Sequence, residues 1–239
     1  MSKDRFQEFS DIGFDDFRRM AQDDSLSQYE KIGFPDEYRA GKEPAIFEDI
    51  LSKLDKLSAA LQTVLDIGPG CSDLPRMLVD LCQRQGHNLV LVDSPEMLAR
   101  LPNAPFIEKL PAYYPKCDEL FAKRRGKIDV ILCYSVLHYI FAESNLWEFL
   151  DRSLELLNHG GQLLIGDIPN ASKRKRFFSS PAGVSFHKAF TGKNELVVSG
   201  TLEYQACDDK ICYNPVSLPL SWKVGLTPNV PGAPAPAQR

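Results

Sequence analysis

From Thr63 onward the chain switches repeatedly between two hydrophobic periods. Apolar runs at 63–67, 88–93, 128–134 and 162–167 read as buried strands, and a weaker run spans 105–108. Between them, apolar residues recur at helical spacing. Leu74, Met77, Leu78, Leu81 and Cys82 share one face, a short helix begins near Ser94-Pro95, and another lies near 117–124. Leu146, Phe149, Leu150, Leu154 and Leu157 mark a helix over 143–158 that Gly160-Gly161 should end. This alternation predicts an α/β fold, a Rossmann-like, doubly wound and mostly parallel sheet with helices on both faces. Ligands of such a sheet lie at the carboxyl ends of its strands, where Asp66, Asp93, Ser135 and Asp167 all fall.

The pattern differs on either side of this core, expected over 61–192. Residues 1–60 read as an N-terminal helical preface, with Phe14, Phe17 and Met20-Ala21 on one short face and Ile46, Phe47, Ile50, Leu51, Leu54 and Leu57 on a longer one. The segment between them carries Gly33, Pro35 and the aromatics Tyr29, Phe34 and Tyr38. It is a packed connector or a lid over the substrate, and in the second case Tyr29, Tyr38 and Arg39 face the ligand. After Gly192 the period becomes two. Leu196, Val198, Leu202 and Tyr204, then Leu218, Leu220, Trp222 and Val224, alternate with polar or small residues, predicting a hairpin over 193–226. The proline-rich stretch 227–239 reads as a disordered tail.

Composition narrows the class. A formal net charge of -4 over 239 residues gives no reason to expect nucleic acid. The first ten residues are charged and no apolar run reaches the roughly 18 residues of a membrane span, so a soluble, cytoplasmic protein with no membrane partner is expected. The six cysteines form no evident metal pattern. Cys71, Cys82, Cys117 and Cys133 sit in core-like segments as small hydrophobes, and no metal site is expected. The oligomeric state has no signal in the chain.

The stretch Asp66-Ile67-Gly68-Pro69-Gly70-Cys71-Ser72-Asp73 carries the chemistry. Its glycines permit a tight turn and close approach of a ligand, and a helix follows directly. A dinucleotide loop usually has a third glycine and holds a pyrophosphate on the helix N-terminus. Here Asp73 stands in that place and Asp66 precedes the loop, so the charges oppose a pyrophosphate and suit the ammonium and sulfonium of S-adenosylmethionine. Asp93, 25 residues beyond Gly68, is near the spacing at which a carboxylate takes two ribose hydroxyls.

With the runs 129–138 and 160–167, these residues resemble class I S-adenosylmethionine-dependent methyltransferases over about residues 1–190. The resemblance implies a cofactor site of Asp66, Gly68, Pro69, Gly70, Asp93, Ser94, Met97 and Ser135, with adenine against Met97-Leu98 or the Ile107–Leu110 stretch. The acid common after the third strand of that family has no clear match. His138 follows the fourth strand, where the resembled enzymes line their acceptor pocket; it is a general base or a hydrogen-bonded histidine of the next helix. Asp167 is an acceptor-orienting group, a base or a helix cap, and Asn170 is the better N-cap.

Segment 166–192 is similar to methyltransferases associated with bacterial surface-polysaccharide biosynthesis. The implied acceptor is a small polar molecule, such as an anionic sugar or sugar nucleotide, methylated on oxygen or nitrogen. The basic run 173–176 is then a grip on that anion, through Arg174 and Arg176, or a solvated face. A nucleotide-binding or inactive cofactor-sensing module is the rival class. Residues 195–226 resemble a fragment of the amino-terminal periplasmic domain of transmembrane thiol:disulfide interchange proteins, in which the residues matching Cys207 and Cys212 form the redox pair. The hairpin therefore either completes the methyltransferase sheet or is an unrelated fragment, with both cysteines expected as free thiols in a reducing compartment.

Overall fold

The computed structural model describes residues 12–191, 195–204 and 216–225. The expectations for Cys207, Cys212 and the 227–239 tail lie outside the described residues. The chain divides into two compact units, residues 1–169 and 170–239, a division that falls before the change of sequence character near 193.

In the first unit, α1 (Phe14–Gln22), a 3-10 turn (Glu30–Ile32), α2 (Asp36–Arg39), α3 (Glu43–Lys53) and a second 3-10 turn (Asp55–Ser58) precede the sheet. Then come β1 (Thr63–Ile67), α4 (Asp73–Gln85), β2 (Asn88–Asp93), α5 (Pro95–Ala99), β3 (Ile107–Pro111), α6 (Asp118–Arg124) and β4 (Ile128–Tyr134). The unit closes with α7 (Leu137–Glu143), α8 (Leu146–Leu156) and β5 (Leu157–Gly166). The five strands are ordered β3-β2-β1-β4-β5 and every pair is parallel, the arrangement of a Rossmann-like sheet. Order reverses between β1 and β4, and a crevice opens there at the strands' carboxyl ends.

The period-two pattern explains the layers. Val64, Leu89, Leu91, Val130 and Leu132 face one way and bury Phe47 and Ile50 of α3 with Leu74 and Leu78 of α4. Leu65, Val90, Val92, Ile131 and Cys133 face the other way, against Leu120 and Phe121 of α6 and Phe149 and Leu156 of α8. Each fully buried aliphatic or aromatic side chain contributes about 1.5–3 kcal/mol of transfer free energy, which is why the central strands read as unbroken apolar runs.

Three expectations need correction. The weak strand lies at Ile107–Pro111, shifted toward the ligand edge, because Leu89 through Asp93 pair with it residue by residue. The single helix over 143–158 is two helices, since Asn145 accepts the N–H groups of Trp147 (2.9 Å) and Glu148 (3.3 Å) and so starts α8 afresh. Gly160-Gly161 do not end it. Leu157 already pairs with Ile128 and Gln162 with Val130, so residues 158–161 bulge within β5.

In the second unit, Asn170 caps α9 (Ala171–Phe178) by accepting the Lys173 N–H at 2.8 Å, as the sequence suggests, and α10 (Pro181–Thr191) follows. β6 (Glu195–Tyr204) and β7 (Val216–Gly225) form an antiparallel sheet of two strands. Among the described residues the hairpin pairs only with itself, so it does not complete the parallel sheet, which stops at β5. No helix among the described residues is long and apolar enough to cross a membrane. Cys71, Cys82, Cys117 and Cys133 are buried free thiols.

Candidate functional site

Gly68 and Gly70 form the floor of the crevice. Both are left-handed, with φ of 68° and 66°. A Cβ on Gly68 would lie 2.6 Å from Val136 and one on Gly70 2.6 Å from Ile32, so only glycine fits under either neighbour. The Gly68 N–H donates to Val92 O at 2.9 Å, tying the loop to the end of β2. The Gly70 N–H donates to Asp93 Oδ2 at 3.0 Å, and the Ser94 N–H donates to Asp93 Oδ1 at 2.6 Å. Asp93 is thereby held at the lip of β2 with its carboxylate toward the crevice. Burial pushes it up to about 6 despite these two bonds. Asp66 lies behind it, buried in β1, and burial together with the Asp93 charge pushes it up to about 8.

The crevice widens into a cleft of about 940 Å³, counting its open mouth. Gly68, Pro69, Gly70, Asp93, Met97 and Ser135 line it. Asp66 and Ser94 do not. Ser94 is buried and caps α5 by accepting the Met97 N–H at 3.2 Å, so it supports Asp93 and Met97 from below. Leu98 is committed to the core, and Ile107 and Leu110 pack against it; Ala112 and Tyr113, just past β3, supply the apolar wall instead.

The N-terminal helices roof the cleft with Phe14, Phe17, Ile32, Phe34 and Arg39. Arg18 grips Glu96 of α5 at 2.9 Å, and the Arg100 Nε donates to Ala21 O at 2.9 Å, fixing α1 over the loop. Tyr29 does not line the cleft. Its hydroxyl donates to Asp73 Oδ2 at 2.7 Å, beside the Gln28 amide at 2.9 Å, so it anchors the roof to α4. Tyr38 is 44 % exposed and stacks on Phe34 at 5.8 Å outside the lining. Arg39 does line the cleft, although it is only 5 % exposed.

Glu43 is the residue the sequence reading missed. It is fully buried, and its Oε2 accepts the Leu74 N–H of the first turn of α4 at 2.7 Å. Its Oε1 accepts from Ser72 Oγ at 2.8 Å and from Arg39 Nε at 3.0 Å. A carboxylate of the protein itself thus sits on the helix N-terminus where a dinucleotide would place its pyrophosphate. The only local signal was the four-residue spacing from Arg39, which any surface pair also shows.

At the other end of the cleft, Ser135 and Asp167 end the adjacent strands β4 and β5. Both are left-handed, with φ of 60° and 55°, an uncommon state for residues other than glycine and one concentrated at functional sites. Ser135 Oγ donates to Asp167 Oδ2 at 2.5 Å, and Arg39 Nη1 stands 3.7 Å from the same oxygen. Asp167 is therefore at the rim, joined to two lining residues, and does not cap a helix. His138 is in the first turn of α7, half-buried and outside the lining; Tyr139 lines the cleft in its place. The His138 Nδ1 is buried without a partner, and desolvation lowers its pKa against the opposing pull of Asp167. Glu143 and Tyr113 meet at the mouth, 3.3 Å apart. Arg174 and Arg176 lie exposed on α9 in the second unit, with the Arg174 guanidinium 5.9 Å over the Phe178 ring.

Comparison with solved structures finds likeness at low identity. A precorrin-6y C5,15-methyltransferase from Geobacter metallireducens is 16 % identical, with 75 % of this chain and 88 % of that chain covered and a TM-score of 0.41. The DszA carbon methyltransferase is 16 % identical over 70 % of this chain and 51 % of that one, with a TM-score of 0.46. The geranyl diphosphate C-methyltransferase of Streptomyces coelicolor A3(2) is 14 % identical over 69 % and 64 %, with a TM-score of 0.38. No protein-family model and no curated protein sequence matches the chain.

Proposed function

We propose that this protein is an S-adenosylmethionine-dependent methyltransferase acting on a small acceptor. The observation that supports the reading most is the Glu43 carboxylate on the N-terminus of α4. It already holds the Leu74 N–H that a pyrophosphate would take there, and it leaves the floor to a ligand with cationic groups, which the neighbouring Asp66 and Asp93 favour. The glycine cradle under Val136 and Ile32 fits close backbone approach, and Asp93 retains acceptor capacity for ribose hydroxyls beyond its two N–H bonds. S-adenosylmethionine supplies the methyl group and a neutral sulfide leaving group.

The chain's own part is positioning. Asp93 fixes the ribose, and Ala112, Tyr113 and Met97 offer an apolar berth to the adenine on the β3 side. The methionyl arm then points toward β4, and the acceptor toward Ser135, Asp167 and Arg39. The roof of Phe14, Phe17 and Ile32 excludes water, and holding two reactants in line accelerates such a displacement. Assignment to surface-polysaccharide biosynthesis rests only on the resemblance of segment 166–192.

Calorimetric titration with S-adenosylhomocysteine and with NAD tests the reading. Tight binding of the former is expected, weakened by about 1.5–3 kcal/mol in Asp93→Ala as charge-assisted bonds are lost. Tighter binding of NAD would return the protein to the nucleotide-binding class.

A further inference from the structure

The geometry points to a hydroxyl oxygen as the methyl acceptor, that of a planar phenol or enol, held between Arg39 and Asp167. This inference rests on the methyltransferase reading. Arg39 is clamped: its Nε is spent on Glu43, and its guanidinium lies 4.8 Å over Phe34 and 5.8 Å over Tyr134. Its two Nη groups make no hydrogen bond among the described residues, although the side chain is only 6 % exposed and lines the cleft.

The Nη1 to Asp167 Oδ2 separation of 3.7 Å is too long for a hydrogen bond. An oxygen placed about 2.8 Å from each would accept from Arg39 and donate to Asp167. Only a group that both donates and accepts satisfies the two sides. A protonated amine has no acceptor to offer Arg39, a neutral arylamine offers only a weak one because its lone pair is delocalised into the ring, and a carboxylate or phosphate has no proton for Asp167. Ser135 already donates to one lone pair of Oδ2, which leaves a second for the acceptor's proton, and Oδ1 accepts no hydrogen bond among the described residues.

The acidity of the hydroxyl follows from its partners. A carboxylate is a weak base, so it takes a proton from a phenol or enol with a guanidinium beside the oxygen far more readily than from a sugar alcohol. The apolar walls, with Tyr134, Tyr139 and Phe34, fit a planar carbon skeleton better than a polyol. In the transfer, the acceptor O–H bond breaks with its proton passing to Asp167. The oxygen's electron pair forms the new C–O bond, and the methyl–sulfur bond breaks with its pair left on sulfur. The products are a methyl ether and S-adenosylhomocysteine, and Asp167 returns its proton to water.

Matched probes test this: phenol against aniline, and 2-naphthol against 2-naphthylamine, titrated calorimetrically into protein saturated with S-adenosylhomocysteine. The hydroxyl member of each pair should bind about tenfold or more tightly. With S-adenosylmethionine, 2-naphthol should yield its methyl ether, and Asp167→Asn should lower that turnover about a hundredfold. Asparagine tolerates the left-handed backbone of position 167, so the variant should keep wild-type affinity for S-adenosylhomocysteine. Hydroxyl probes that bind no more tightly than their amine counterparts, N-methylation in place of O-methylation, or full turnover in Asp167→Asn overturns the assignment. Failure of the wild type to bind S-adenosylhomocysteine would instead remove the methyltransferase reading itself.

Discussion

Replacing Glu43 by alanine tests the junction on which the roof, the floor and the charge of the cleft all depend. Glu43 is fully buried and accepts three hydrogen bonds, from Leu74 N–H, Ser72 Oγ and Arg39 Nε. Alanine strands a guanidinium that is 5 % exposed and leaves the first turn of α4 without its acceptor. Breaking a buried pair from one side costs about 3–5 kcal/mol. Glu43→Gln keeps the shape but turns one accepting oxygen into a donor, which should cost about 1–3 kcal/mol. In urea unfolding followed by far-ultraviolet circular dichroism, the alanine midpoint should fall by on the order of 1–2 M. Glu48→Ala, an exposed site on the same helix, controls for helix propensity and should stay within about 0.5 kcal/mol. A Glu43→Ala cost under about 1 kcal/mol would refute the clamp, and with it the argument that the α4 N-terminus is closed to phosphate.

Further outcomes follow from the same geometry. Gly70→Ala should weaken S-adenosylhomocysteine binding at least about tenfold by calorimetry, because the new Cβ meets Ile32 at 2.6 Å in a left-handed backbone. His138→Ala should leave turnover and cofactor affinity within about twofold of wild type, since the ring is outside the cleft; a hundredfold loss would make it the base after all. Burial raises both Asp66 and Asp93, so the folded apoprotein holds their protons more tightly than the unfolded chain. Its stability should be highest near pH 4 and decline as pH rises through about 6 and then about 8, with Asp66→Asn flattening the upper limb in urea titrations.

The sheet was legible because its signal is local and redundant. Each central strand is an apolar run bounded by a turn, and helices with one apolar face separate them, so order and direction follow from a few rules of connection. The glycine floor of the cleft was legible for a related reason. Gly68, Gly70 and Asp93 act through the backbone or at a strand end, and their positions depend on spacing along the chain. The misses share the opposite property. Glu43 caps a helix 30 residues downstream, and Asn145 divides a continuous apolar pattern with one side-chain oxygen. Ser94 turns under α5 as its cap, and the first turn of α7 aims Tyr139 and not His138 at the cleft. A sequence states which residue follows a strand but not which way the first helical turn aims it.

The distribution of carboxylates around the cleft gives one more reason to separate its two ends. The charge of Glu43 is offset by Arg39, and Asp73 spends one oxygen on hydrogen bonds from Tyr29 and Gln28. Asp66 and Asp93 remain without a cationic partner among the described residues, and burial raises the proton affinity of both. Two such groups repel one another as ionised forms, and a bound cation relieves that repulsion. Cofactor affinity should therefore increase between pH 6 and 8 as the pair ionises, in the direction opposite to apoprotein stability. The Asp167 end has the reverse arrangement, a carboxylate with a guanidinium 3.7 Å away, and favours a neutral hydroxyl over either ion. Measuring S-adenosylhomocysteine affinity across that pH range in wild type and Asp66→Asn separates the two ends. A rise with pH in the wild type that disappears in the variant places the cation at the floor, whereas a rise that survives the substitution assigns it elsewhere.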